Sequence, residues 1–168
     1  TSSKSSTAFL AVELLAKISM NSNSRPMWKA LDCATTVSLL NHLIQFAILD
    51  DELSDWSMLA ALHLSLNALN LPIAQVLCKD HLVIGQLMLL CAAYNSIPKT
   101  GPTETLQSLD FRRHTLAVRA AVILHKLVEF IPLKTALLKY EAIIADVYCN
   151  APLEIADPLY RVFLEMQT

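Results

Sequence analysis

The sequence predicts an all-α fold of about seven stacked antiparallel helices, and three observations carry that prediction. Only two glycines, Gly85 and Gly101, occur in 168 residues, so little material exists for the tight turns of β-hairpins. Apolar residues make up 54% of the chain and charged residues 17%, against roughly 45–50% and about 25% in ordinary soluble domains. The apolar positions recur with the 3.6-residue period of a helix, and several segments are apolar almost all round, as in helices packed between neighbours.

Prolines and capping residues divide this pattern. Helices are expected near 7–20, 26–49, 55–70, 72–96, 104–131, 133–149 and 152–167, with breaks open near Cys33 and near Lys79-Asp80. Asn21-Ser22-Asn23-Ser24 supplies turn and cap residues, and Pro26 then suits a first helical turn, where its missing N–H is not needed. Asp50, Asp51, Glu52 and Asp55 place negative charge where the next helix begins, favourable for its dipole. Pro98-Lys99-Thr100-Gly101-Pro102 reads as a loop. Asp157-Pro158 reads as a cap and first-turn proline that restarts the last helix. Mid-helix apolar positions, namely Leu62, Leu66, Leu89, Leu90, Ile123, Leu124, Leu127 and Ile143, are expected in the core.

Residues 1–6 are expected to be a disordered N-terminal segment and 7–168 a single all-helical domain. The chain starts at Thr1 with a Ser/Thr/Lys stretch and is read as a fragment of a larger protein. The uncharged run from Trp56 to Cys78 exceeds the about 20 residues that span a bilayer. It holds His63, Ser65, Asn67, Asn70, Pro72 and Gln75, so buried helices explain it and no membrane span is expected. Four widely spaced cysteines, Cys33, Cys78, Cys91 and Cys149, sit in apolar sequence. That pattern points to reduced core thiols in an intracellular protein of the cytoplasm or nucleus.

Two segments carry a family resemblance. Ala60-Ala61-Leu62-His63-Leu64-Ser65-Leu66-Asn67-Ala68-Leu69 resembles the inner helix of an armadillo repeat, with small residues, an apolar run and then an asparagine. Val118-Arg119-Ala120-Ala121-Val122-Ile123-Leu124 resembles the second helix of a HEAT repeat. The resemblance implies a divergent α-solenoid, an armadillo/HEAT-like right-handed superhelix; a closed helical bundle is the alternative. His63 stands where peptide-binding members of the importin-alpha kind place tryptophan, and no period of about 40 residues recurs.

Two polar lines are the candidate binding residues. Trp56, Ala60, His63, Asn67 and Asn70 step by 4, 3, 4 and 3 and share one side of a helix. In an armadillo-like stack that side would face a groove, where an asparagine can bond a peptide backbone. The same residues could instead satisfy neighbouring helix ends. Arg112, Arg119 and Lys126, spaced by sevens, could meet an acidic segment or phosphates, or simply form a solvated face. Residues 99–141 carry seven basic against four acidic groups, while 142–168 carry one against four.

No metal site is expected: Cys78-Lys79-Asp80-His81 pairs two ligand types on one turn, but zinc needs four ligands. The acidic run at 50–55 lacks the glycine turn of a calcium loop. No nucleophile elbow, H-E-x-x-H, P-loop or dinucleotide fingerprint occurs. The chain is therefore expected to be no enzyme and to use no cofactor. The function expected is a protein–protein interaction or scaffold module. It would bind a partner segment or subunit, or a further copy of itself, through a groove or an apolar helical face. A nucleic-acid-associated domain using the Arg112/Arg119/Lys126 line is the alternative.

Overall fold

The computed structural model describes residues 2–49, 54–79, 81–94 and 103–167, with the side-chain surroundings of 2–6, 49, 81–82 and 103–112 outside the description. About 90% of the chain is helical; among the described residues the helices are joined by short turns and no strand occurs. The α-helices are α1 (Ser2–Met20), α2 (Arg25–Ala30), α3 (Cys33–Leu49), α4 (Ser54–Ala68), α5 (Leu71–Cys78), α6 (His81–Ala92), α7 (Thr103–Phe130), α8 (Lys134–Leu137), α9 (Glu141–Asn150) and α10 (Leu153–Gln167). The chain divides into two compact units, Thr1–Val76 and Leu77–Thr168.

In the first unit, α1, α2 and α3 all pack on α4. The reason is compositional: α4 has no polar face to offer water, and its ten residues from Trp56 to Ser65 are all buried. Ala60 and Ala61 let neighbouring backbones come close, while Ser65 donates its hydroxyl to the Ala61 carbonyl at 2.7 Å and so needs no outside partner. The turn before α2 forms as the Asn/Ser run requires. Asn21 Oδ1 accepts from the Asn23 N–H, Ser24 Oγ donates to the Asn21 carbonyl, and the Trp28 indole N–H donates to Ser24 Oγ at 2.9 Å. Pro26 lies in the first turn of α2. The anticipated break near Cys33 falls at Leu31-Asp32, where Asp32 Oδ1 accepts the Thr35 N–H at 2.7 Å and caps α3. Bonds from the Thr35 hydroxyl and then its backbone N–H hold the Asp32 carboxyl below its ordinary range.

In the second unit, α7 packs against both α6 and α10, and α9 packs against α10 and α6. Leu116, Ala117, Ala120, Ala121, Ile123, Leu124 and Leu127 of α7 are fully buried, the i, i+1, i+4 pattern of a helix covered from two sides. The amphipathic α10 buries Ile155, Ala156, Leu159, Val162 and Met166 on one stripe. The break anticipated at Lys79-Asp80 separates α5 from α6.

Several expectations are corrected. The first helix begins at Ser2, earlier than the apolar period placed it. Pro158 lies inside α10 instead of opening it; the carbonyl it releases belongs to Glu154, an exposed first-turn residue. The expected helix at 133–149 is in three pieces, α8, a 3-10 turn over Leu138–Tyr140, and α9. The division falls where Tyr140 lies against Gly85 of α6, so closely that a Cβ on Gly85 would stand 2.6 Å from the Tyr140 hydroxyl. Leu89 is 56% exposed: with Gln86 it follows the outward line of α6, while Leu87, Met88, Leu90 and Cys91 are buried. Leu66 and Ile143 are half-buried, and the other five expected core residues are buried. The acidic positions 50–52 and the loop at 98–102 lie outside the described residues; Asp55 stands in the first turn of α4.

Among the described residues no single helix is long and apolar enough to cross a membrane. Helices α5 and α6 reach that length only together, across the break at Lys79.

Leu124 and Leu127 have no exposed surface. Replacing either with alanine is expected to lower the unfolding free energy by roughly 2–5 kcal/mol in chemical denaturation. A loss below about half a kcal/mol at both sites would show that α7 is not an inner helix.

Candidate functional site

The polar line on α4 does not form one surface. Trp56 and His63 are buried, 8% and 6% exposed, because α1, α2 and α3 close over the helix on which they lie. The Lys17 ammonium sits 5.7 Å from the Trp56 ring centroid, a cation–π contact that belongs to the packing of α1 on α4. Their expected exposure is therefore overturned.

Asn67 is half-buried and Asn70 exposed. Asn70 Oδ1 accepts the Ile73 N–H at 3.0 Å, and its carbonyl accepts from Ala74, so it caps α5. A cap of this kind contributes about 1 kcal/mol. The two asparagines do share a pocket of about 260 Å³ with Trp28, Lys29, Cys33 and Thr36.

Of the basic line, Arg119 and Lys126 are half-buried on α7, and the Arg112 side chain lies outside the described residues. Beside them, His114 Nε2 stands 3.5 Å from Glu154 Oε2, with side chains 40% and 70% exposed. That contact links α7 to α10 in a water-accessible position.

The cysteines fall into two classes, which corrects the expectation of four core thiols. Cys91 is fully buried and points its thiol at the Ala117 carbonyl, 3.9 Å away, across the α6–α7 contact. Cys78 is half-buried, and burial pushes its thiol up to about 11. Cys33 and Cys149 are exposed, and all four are free. Apolar sequence misled here because Cys33 opens α3 and Cys149 stands on an exposed part of α9 that its neighbours leave uncovered. No group of three His, Cys, Asp or Glu residues among the described ones could hold a metal; the side chain of His81 lies outside them.

A different surface, on the α9–α10 hairpin, carries an open apolar cavity. Ile144, Ala145, Tyr148 and Cys149 of α9 face Tyr160 and Phe163 of α10 around a cavity of about 290 Å³ lined by apolar atoms alone. The Tyr148 and Tyr160 rings stack at 5.1 Å and 19°, the separation at which aromatic pairs attract. Both rings remain exposed, and Leu153, at 78% exposure, and Leu164 extend the apolar surface along α10. The spacing Leu153, Asp157, Tyr160, Leu164 (4, 3, 4) puts these residues on one side of that helix. This was readable in the sequence: α10 carries a second apolar stripe beside the one it buries, more than a lone surface helix needs.

No protein-family model, curated protein or solved structure matches this chain.

The thiol classes are directly measurable. An aromatic disulfide reagent at pH 8 is expected to titrate two thiols, Cys33 and Cys149, rapidly in the native protein, and four after denaturation. Raising the pH toward 11 should recruit Cys78 in the folded state, because its raised pKa keeps it protonated at lower pH and only the thiolate reacts. Four equally fast thiols at pH 8 would contradict the burial of Cys91.

Proposed function

We propose that this chain is a non-catalytic protein-interaction module that engages a partner protein through the outer face of its α9–α10 hairpin. The observation that carries the reading is the apolar cavity between Ala145, Tyr148, Tyr160 and Phe163, open beside exposed Leu153 and Leu164. Exposed apolar area costs about 25 cal/mol per Å² relative to burial, so a partner that covers this face recovers free energy that folding leaves unused. Tyrosine suits such a position, since it offers a large rigid contact and tolerates water when unbound.

The helical architecture supports the wider reading of a divergent armadillo/HEAT-type scaffold, in which helix pairs pack by nearest neighbours and leave outward faces for partners. The α3–α4, α6–α7 and α9–α10 pairs supply such contacts between helices consecutive or nearly so in the chain. Asn67, in the pocket beside Lys29, is what remains of the groove expected on α4. Exposed free Cys33 and Cys149 suit a reducing, intracellular setting.

Replacing Leu153 with serine and Tyr160 with alanine tests the reading. Both side chains are exposed, so each variant is expected to unfold within about 0.5–1 kcal/mol of the parent. Retention of a partner captured from cell extract should nevertheless drop severalfold for both. Destabilisation by more than about 2 kcal/mol with retention intact would make the face structural and end the proposal.

A further inference from the structure

The pocket that Asn67 shares with Lys29 has a chemistry of its own, independent of the α9–α10 face. It belongs to the first unit, where α2 gives way to α3 and the end of α4 turns into α5, and it encloses about 260 Å³. Trp28, Thr36 and Ile73 line it and are buried, and Leu31 adds apolar surface.

The polar groups around this space are mostly donors. Lys29 has three ammonium donors and no acceptor, and it makes no ion pair or hydrogen bond among the described residues. The Asn67 amide makes none either. Asn70 commits its Oδ1 to the Ile73 N–H at 3.0 Å, which leaves its amide N–H groups to donate. Thr36 donates its hydroxyl to the Asp32 carbonyl at 3.0 Å and keeps acceptor capacity alone.

No carboxylate lines the pocket. Asp32, between the lining residues Leu31 and Cys33, turns its carboxylate to the Thr35 N–H and hydroxyl at the start of α3. Arg25, exposed one turn before Lys29 on α2, offsets that charge. Glu13 is paired with Lys17 at 3.2 Å. Asp55 stands in the first turn of α4, about 18 Å along the helix from Asn67.

We propose that this pocket binds a carboxylate carried on an apolar body the size of one aromatic ring. A carboxylate only accepts hydrogen bonds, so it matches the excess of donors on Lys29, Asn67 and Asn70. One lysine suits its single negative charge better than the nearly double charge of a phosphate monoester. The apolar part lies against Trp28, Leu31 and Ile73, in a space larger than the roughly 150 Å³ cavity that accepts benzene. Because Lys29 is exposed, water screens its charge, and the apolar contact contributes beside it.

Cys33 reports occupancy, since it is an exposed thiol on the pocket wall. Iodoacetamide alkylation of the whole chain, followed site by site by mass spectrometry, gives its rate, with exposed Cys149 of the other unit as internal reference. Saturating phenylacetate is expected to slow Cys33 severalfold and leave Cys149 unchanged. Phenylacetamide, which is neutral, and acetate, which lacks the ring, should each need at least about fivefold more ligand for equal protection. Lys29→Gln should raise the phenylacetate needed roughly threefold, and Asn67→Ala roughly threefold to tenfold. Asn67→Asp, similar in size but negatively charged, should abolish protection. Each variant is compared with its own unliganded rate, and circular dichroism confirms that it is folded.

N-acetylphenylalanine separates two sources of this chemistry. Protection equal to that by phenylacetate would support the terminal residue of a peptide as ligand, and weaker protection a free small acid. Failure of phenylacetate to protect Cys33, or equal slowing of both thiols, would overturn the site. Equal protection by phenylacetamide would overturn the anionic ligand, and equal protection by acetate its apolar body. Protection unchanged in both Lys29→Gln and Asn67→Asp would overturn the assigned contacts.

Discussion

The packing of the first unit depends on one constraint: α4 has nothing to show to water. Ten consecutive residues, Trp56 to Ser65, are buried, which a helix achieves only when neighbours surround it. Met58, Leu59, Leu62 and Leu64 are almost fully inaccessible. At about 1.5–3 kcal/mol for each such side chain, their burial contributes roughly 6–12 kcal/mol before conformational entropy is set against it. That gross gain matches the whole net stability of an ordinary domain, about 5–15 kcal/mol. The positions of α1, α2 and α3 on α4 follow from it.

In the second unit the same demand falls on α7, covered by α6 and α10, but here the solution leaves a remainder. Helix α10 has apolar residues on two sides. One stripe, through Ile155, Leu159, Val162 and Met166, meets the rest of the unit. The other, through Leu153, Tyr160 and Leu164, is exposed. A monomeric helix with this composition would be less costly in water if the second stripe were polar. Its exposure is the physical reason for the proposal that the hairpin docks a partner.

Helix class and several of the helix breaks were legible in the sequence because period and punctuation are local. The Asn/Ser turn before α2, Pro26 in the first turn and the breaks at Leu31-Asp32 and Lys79 follow from local chemistry. The site was less legible because exposure is not local. The spacing of Trp56, His63, Asn67 and Asn70 predicts one helix side, and polarity marked that side as outward, but α4 ends at Ala68, before Asn70. Yet α4 is enclosed so completely that Trp56 and His63 are buried, while Asn70 serves the start of α5. Leu89 shows the converse: leucine in an apolar run reads as core, but α6 is covered only on the sides that meet its neighbours. The cavity at Tyr148 and Tyr160 needs two helices to exist. Periodicity in α10 could signal the stripe, and no pattern within either helix alone could signal the stacked rings.

Native-state hydrogen exchange tests the central claim, that each unit is organised around one enclosed helix. Amides of residues 59–65 in α4 and 116–127 in α7 are predicted to exchange only through global unfolding of their units, with the largest protection and the full denaturant dependence. Those of short α2 and α8 should open locally and exchange much faster. Protection in α4 no greater than in α2, or in α7 no greater than in α8, would contradict the account.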